Sequence, residues 1–186
     1  SMPEDEELKN LFIKAKRYSF AKNYKPAMDT FKQALDRAIE VKDKDTESKI
    51  LFEIGTIYDK NDYLAQALTS YNKSIETTTD LNVKTKAHYS MAQIYDDTAQ
   101  FESAINHYMT SISYAGETEN LTAQSTSLVR IGNIYADTYK KDAFDYYETA
   151  EVLANETDNH SVRGYVSSHI ANAHNKFNEP REALKY

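Results

Sequence analysis

Five times along this chain a small residue is followed three positions later by a ring: Ala15/Tyr18, Gly55/Tyr58, Ala92/Tyr95, Gly132/Tyr135 and Ala171/His174. An Ala stands twelve positions after the small residue at Ala27, Ala67, Ala104 and Ala183, and eleven after it at Ala143. An aromatic and a second small residue then follow at fixed offsets: Ala27-Phe31-Ala34, Ala67-Tyr71-Ser74, Ala104-Tyr108-Ser111 and Ala143-Tyr147-Ala150. Self-similarity at a period of 37 to 40 residues marks one supersecondary unit stacked on itself. Small residues let two helices approach closely, and a ring fills the gap beside them. The pattern therefore predicts stacked helix pairs.

The helical period is legible within a repeat. Ile50, Leu51, Ile54, Ile57 and Tyr58 fall at i, i+3, i+4, i+7 spacing, as do Leu64, Ala67, Leu68, Tyr71 and Ile75. The junctions 42–46, 79–82, 116–120 and 156–161 are short and rich in Asp, Asn, Thr and Ser, residues that cap helix starts. Asn23, Asn61 and Asn178 are expected to cap the second helix of their repeats, with Pro26 and Pro180 in its first turn. In the fourth repeat one residue is missing between Gly132 and Ala143, which would turn the next helix by roughly 100° unless the connection absorbs it. A tighter turn at 137–142 is expected, with an otherwise regular pair.

The small-x-x-Tyr block followed by Ala-x3-aromatic-x2-small resembles the tetratricopeptide repeat (TPR), and the resemblance covers essentially the whole chain. Repeats start near Leu8, Ser48, Thr85, Ser125 and Gly164, which is longer than the family's unit of about 34 residues. They are similar to the long repeats of kinesin light chains, LGN/Pins-type adaptors and Rap/PlcR-type peptide receptors. The family's Trp position holds Leu11, Leu51, His88, Leu128 and Ser167 here. The resemblance implies an all-α, right-handed superhelical solenoid of antiparallel helix pairs, with about nine helices and a C-terminal stub. Residues 1–186 are expected to form a single array, with Tyr18, Tyr58, Tyr95 and Tyr135 largely buried. The last repeat stops before its second aromatic, so the chain reads as a fragment of a longer array. Val166, Ile170 and Ala173 are expected to be partly bare, and weak self-association through that end follows.

Composition narrows the function. The chain has four Gly, three Pro, 27% charged residues and a mean hydropathy of −0.72, which suits helices with a polar exterior. No apolar run approaches the ~18 residues that span a bilayer, and no secretory signal opens the chain. The absence of cysteine removes disulfides and thiolate chemistry and fits a cytoplasmic protein. A net charge of −7 argues against nucleic acid as partner. The four glycines are too scattered for a phosphate loop, and His169 and His174 diverge by roughly 140° on a helix, too far to share a metal. His174 occupies the repeat's Tyr position and reads as core. Asp96 and Asp97 are adjacent, so they point apart and read as a solvated pair rather than a catalytic dyad. No enzyme activity and no cofactor are expected.

The resemblance places ligand binding in a groove lined by the first helices, at the second, fifth and ninth positions of each repeat. Position two reads Lys9, Lys49, Lys86, Thr126, Tyr165, and position five reads Phe12, Phe52, Tyr89, Val129, Ser168. Position nine reads Lys16, Thr56, Gln93, Asn133, Asn172, and Asp59, Asp96, Asp97 and Asp137 lie near the opposite rim. The carboxylate clamp of chaperone-binding members needs Lys and Asn where Phe12 and Lys16 stand, so that mode is rejected. Lys49, Phe52, Lys86, Tyr89, Arg130, Asn133 and Asn172 form the candidate peptide-binding set. Asn133 and Asn172 can read a peptide bond, since an amide both donates and accepts, or they can bond neighbouring helices within the stack. The lysines are either part of the groove or an ordinary solvated face. The function expected is a non-enzymatic module binding a peptide or partner helix, the alternative a peptide-sensing regulatory array within a larger protein.

Overall fold

The computed structural model describes residues 1–178, and among them there are nine helices and no strand. The helices are α1 (Glu6–Phe20), α2 (Tyr24–Glu40), α3 (Lys44–Lys60), α4 (Leu64–Thr77), α5 (Leu81–Asp97), α6 (Phe101–Glu117), α7 (Leu121–Asp137), α8 (Ala143–Asn155) and α9 (His160–Asn178). α3, α5, α7 and α9 begin four residues ahead of the repeat starts read from the sequence and α1 two ahead, so the extra length of the inner repeats lies in an added helical turn. Two compact units divide the chain, one running to Ile94 and the other starting at Tyr95. In the first, α1 packs on α2, α2 on α3 and α3 on α4, around Leu8, Ala15, Ala27, Phe31, Ile50 and Ile54. In the second, α7 packs on α6 and α8, and α9 packs on both α7 and α8, around Val129, Tyr147, Ala150, Ala154 and Val166.

The small residues of the repeat do one specific thing. A Cβ placed on Gly55 would sit 2.8 Å from the ring of Tyr71, and one on Gly132 would sit 2.7 Å from the ring of Tyr147. The second helix thus presses a ring onto the bare backbone of the first. These rings, with Phe31 and Tyr108, are the large buried side chains. Tyr18, Tyr58, Tyr95 and Tyr135 are only half-buried, contrary to the sequence expectation. Each lies in the last turns of a first helix, and its carbonyl accepts the N–H five residues on, as Asn23 does to Tyr18 and Lys140 to Tyr135. Their rings lie over the connection and the start of the next helix: Tyr58 edge-on to Tyr63, Tyr135 stacked on Tyr146 at 5.3 Å.

Six of the eight connections are built alike. Lys22, Lys42, Asp62, Ala99, Glu119 and Tyr139 have φ between 54° and 61°, and none is glycine. In every case this residue's N–H reaches the carbonyl three back and the next N–H reaches the carbonyl five back, which is the Schellman arrangement. First helices carry true side-chain caps: Asp5, Asp43, Asn120 and Asn159 accept from Leu8, Thr46, Ala123 and Val162. Second helices α2, α4, α6 and α8 have none. Asn23 therefore precedes α2 without capping it, and Asn61 ends α3, donating to the Ile57 carbonyl at 2.7 Å. Asn178 ends α9, while the proposed second helix from Pro180 lies outside the described residues.

The missing residue of the fourth repeat is absorbed within the first turn of α8. The Schellman turn at Tyr139 keeps the geometry of its counterparts. Ala27, Ala67 and Ala104 bond the carbonyl four residues back, whereas Ala143, Phe144 and Asp145 bond the carbonyl three back. A 3₁₀ start advances the chain by one residue fewer, so Tyr147 still reaches Gly132. At the other end, Val166 and Ala173 are buried and Ile170 packs against the same cluster, because α9 turns that face to α7 and α8. The expectation that these residues are partly bare is overturned for Val166 and Ala173 and holds for the half-buried Ile170.

Gly55→Ala is expected to destabilise the protein by about 1–3 kcal/mol through the displaced Tyr71 ring. Gly164→Ala, where an added Cβ meets nothing within 4 Å, should instead stabilise by about 0.5–1 kcal/mol. Urea denaturation of both variants checks the opposite signs. By the same method, Ala99→Gly should raise stability by about 1 kcal/mol, since a Cβ is unfavourable at φ 59°.

Candidate protein-binding surface

The candidate residues fall into two groups, one in each unit. In the first unit Phe52 on α3 packs on Tyr71, ring centroids 5.4 Å apart, and the Lys86 ammonium on α5 stands 4.8 Å above the Phe52 centroid. A cleft of about 380 Å³ there is lined by Phe12, Lys16, Lys49, Phe52, Glu53 and Lys86, among others. Lys16 bonds Glu53 at 2.8 Å, and Lys49 bonds Asp45 one helical turn away at 3.0 Å. Tyr89, one turn after Lys86 on α5, is half-buried and is not among the cleft's lining residues. Lys49 and Lys86 both line this cleft beside Phe52, and Lys86 is at the same time exposed.

In the second unit Arg130 and Asn133 lie one turn apart on α7. The Arg130 guanidinium carbon stands 5.9 Å from the Tyr165 centroid, and the Tyr165 ring lies 4.4 Å from the imidazole of His169. Asn133 is engaged on both sides of its amide. Its Oδ1 accepts from the Tyr147 hydroxyl at 2.7 Å, and its Nδ2 lies 3.1 Å from Nδ1 of His169. Of the two readings open for this residue, bonding neighbouring helices is the one the geometry displays. Asn172 is exposed on α9. Burial, and then the charge of Arg130, hold the His169 pKa below its ordinary value; burial alone does so for His107, which stacks on Tyr95.

Position nine therefore has an internal duty that the sequence reading assigned to the groove. Tyr71 reaches Thr56 with its hydroxyl at 3.4 Å, as Tyr147 reaches Asn133. The signal was present: repeats with Tyr on the second helix carry an uncharged polar residue at position nine, while the repeat with Phe31 carries Lys16. The acidic rim is also partly used. Asp96 accepts from Tyr108 at 3.2 Å, and burial pushes its carboxyl pKa up, so it is no plain solvated residue. Asp137 pairs with Lys176 at 2.7 Å. His174, read as core, is exposed with its ring 4.6 Å from Phe144. Among the described residues no cluster of His, Cys, Asp and Glu could hold a metal, and no helix is long and apolar enough to cross a membrane.

Repeated helix pairs with a ring-on-small-residue contact and a polar first-helix face define a TPR-like repeat protein. Solved structures agree. A putative kinesin light chain from Podosopora anserina with nearly identical TPR-like repeats matches all of this chain and 93% of its own at a TM-score of 0.73 and 14% identity. The apo form of RapI matches 94% of this chain and 53% of its own, also at 0.73, with 16% identity. At such identities the likeness is one of fold. Residues 3–179 match the family described as Soluble NSF attachment protein, SNAP, and the chain belongs to that family. Human alpha-soluble NSF attachment protein is 28% identical over 140 residues, covering 72% of this chain and 47% of that protein. The chain spans about half the length of the curated relatives it matches.

Tyr147→Phe is expected to cost about 1–2 kcal/mol, because it strands the oxygen of a part-buried amide. Tyr71→Phe, which gives up a contact of only 3.4 Å, should cost less than half as much. Chemical denaturation of the two variants tests the ranking.

Proposed function

We propose that this chain is a non-enzymatic protein-binding module whose partner docks on the first-helix surface. The carrying observation is the cleft of the first unit, where Phe12 and Phe52 offer aromatic area and Lys49 and Lys86 offer positive charge beside it. Aromatic area supplies binding energy at such a surface, and flanking charge selects and orients the partner. A partner segment with apolar side chains followed by acidic ones fits this arrangement. Taken by itself, the second unit offers a cation beside a ring in Arg130 and Tyr165, and its Asn172, exposed one turn beyond His169, can read a peptide group. The relatives' names state attachment to NSF, which makes that protein the first partner to test. The peptide-sensing alternative has likeness in fold to RapI behind it and no residue-level observation.

Immobilised NSF should retain the wild-type chain, and Lys49→Glu with Lys86→Glu should weaken retention by about tenfold or more, as for a surface where like charge is brought against an acidic partner. Asn172→Ala should weaken it by a smaller factor. Circular dichroism establishes that the variants are folded. Retention undiminished by the double charge reversal rejects this surface, and failure of the wild-type chain to be retained removes NSF as its partner.

A further inference from the structure

Three helices of the second unit meet at a polar chain whose hydrogens have little freedom. Tyr147 on α8 donates to Asn133 on α7, and Asn133 faces His169 on α9. Burial raises the Tyr147 phenol well above its usual range, so the hydroxyl keeps its hydrogen and donates it. An amide oxygen only accepts and an amide nitrogen only donates. With Oδ1 taken by the phenol, Nδ2 faces the imidazole, and Nδ1 of His169 has to accept. An imidazole that accepts at Nδ1 is neutral and carries its hydrogen on Nε2.

We propose that His169 is a proton-sensitive latch fastening α9 to α7 and α8, closed while its imidazole is neutral and opened by protonation. Protonation places an N–H on Nδ1 against the Asn133 N–H, two donors face to face. The chain can re-form only if the amide turns over and the phenol accepts, which leaves the phenol hydrogen seeking a new acceptor in a part-buried place. Burial and the charge of Arg130 oppose a positive charge on the imidazole. From α7 it meets Arg130, from α8 the neutral Tyr147 through Asn133, and from α9 itself the Tyr165 ring. The folded pKa lies below the ordinary 6.5, so the unfolded chain binds the proton more readily. The latch is therefore closed above pH 6.5 and opens as pH falls through the lower folded value. This inference does not depend on which partner the chain binds.

His107 titrates with the same sign, so the test has to be local to α9. In the full 186-residue chain at pH 7.5, long-range proton–nitrogen correlation should show His169 as the Nε2–H tautomer. Amide protection factors across His160–Asn178 should fall by between three- and tenfold from pH 7.5 to pH 5.5, tenfold being the ceiling that one histidine with an ordinary pKa of 6.5 can impose, while those of α3 change by less than threefold. His169→Gln, whose side-chain oxygen accepts from Asn133 at every pH, should reduce that loss to less than threefold, and His107→Gln should leave it in place. An Nδ1–H tautomer, protection of α9 that is flat with pH in the wild type, or a loss that survives His169→Gln overturns the latch. Should His169→Gln fail to fold, the tautomer and the wild-type protection factors decide by themselves.

Discussion

A ring pressed onto a position with little or no side chain is the contact on which each repeat depends. Where Gly55 meets Tyr71 and Gly132 meets Tyr147, the approach is closer than any Cβ allows, so the two helices are held at a separation that only a small residue permits. Other features adjust to keep that contact. The first turn of α8 tightens to three-residue hydrogen bonding so that Tyr147 arrives in place despite the missing residue. The Schellman turns accept left-handed backbone at six non-glycine residues, Tyr139 and Ala99 included, to reverse the chain within the span the contact demands. Each such residue carries a conformational cost of about 1–2 kcal/mol relative to its relaxed state, and the buried ring and its neighbours offset it.

The same contact has a polar side. A tyrosine brought that far into a helix pair carries a hydroxyl that needs a partner, and the residue directly after the small one is the nearest on the first helix. Thr56 and Asn133 meet that need. At position nine, Thr56 and Asn133 thereby serve the helix pair. The surface proposed for a partner draws on aromatic and cationic residues one and two turns earlier on the first helices: Phe52, Lys49, Lys86 and Arg130. Ring contacts hold two of them in place, Lys86 over Phe52 and Arg130 over Tyr165, while Lys49 pairs with Asp45.

Membership of the soluble NSF attachment protein family rests on the match over residues 3–179, and the helical repeat described here is in keeping with it. The likeness in fold to kinesin light chain repeats and to RapI reaches no residue on that surface, since 14% and 16% identity leave side chains free to differ.

The sequence by itself determined the all-helical class, the number and phase of the repeats and the pairing of each small residue with a ring on the following helix. Those properties follow from periodicity, which reports helix faces directly. It also marked Phe52, Lys49 and Lys86 as one neighbourhood, because residues at equal repeat positions recur on one surface. Tertiary structure decided which tyrosines are buried, since Tyr58 and Tyr71 have the same composition signal and differ only in whether the ring lies over a turn or between helices. It decided that Asn61 ends a helix rather than starting one, a matter of which backbone groups are left unpaired. It also decided that Asn133 faces inward to Tyr147 and His169, residues 14 and 36 positions away that no local pattern connects. Repetition fixes where a helix points, but which polar atoms meet depends on three helices converging, and only the packed chain contains that information.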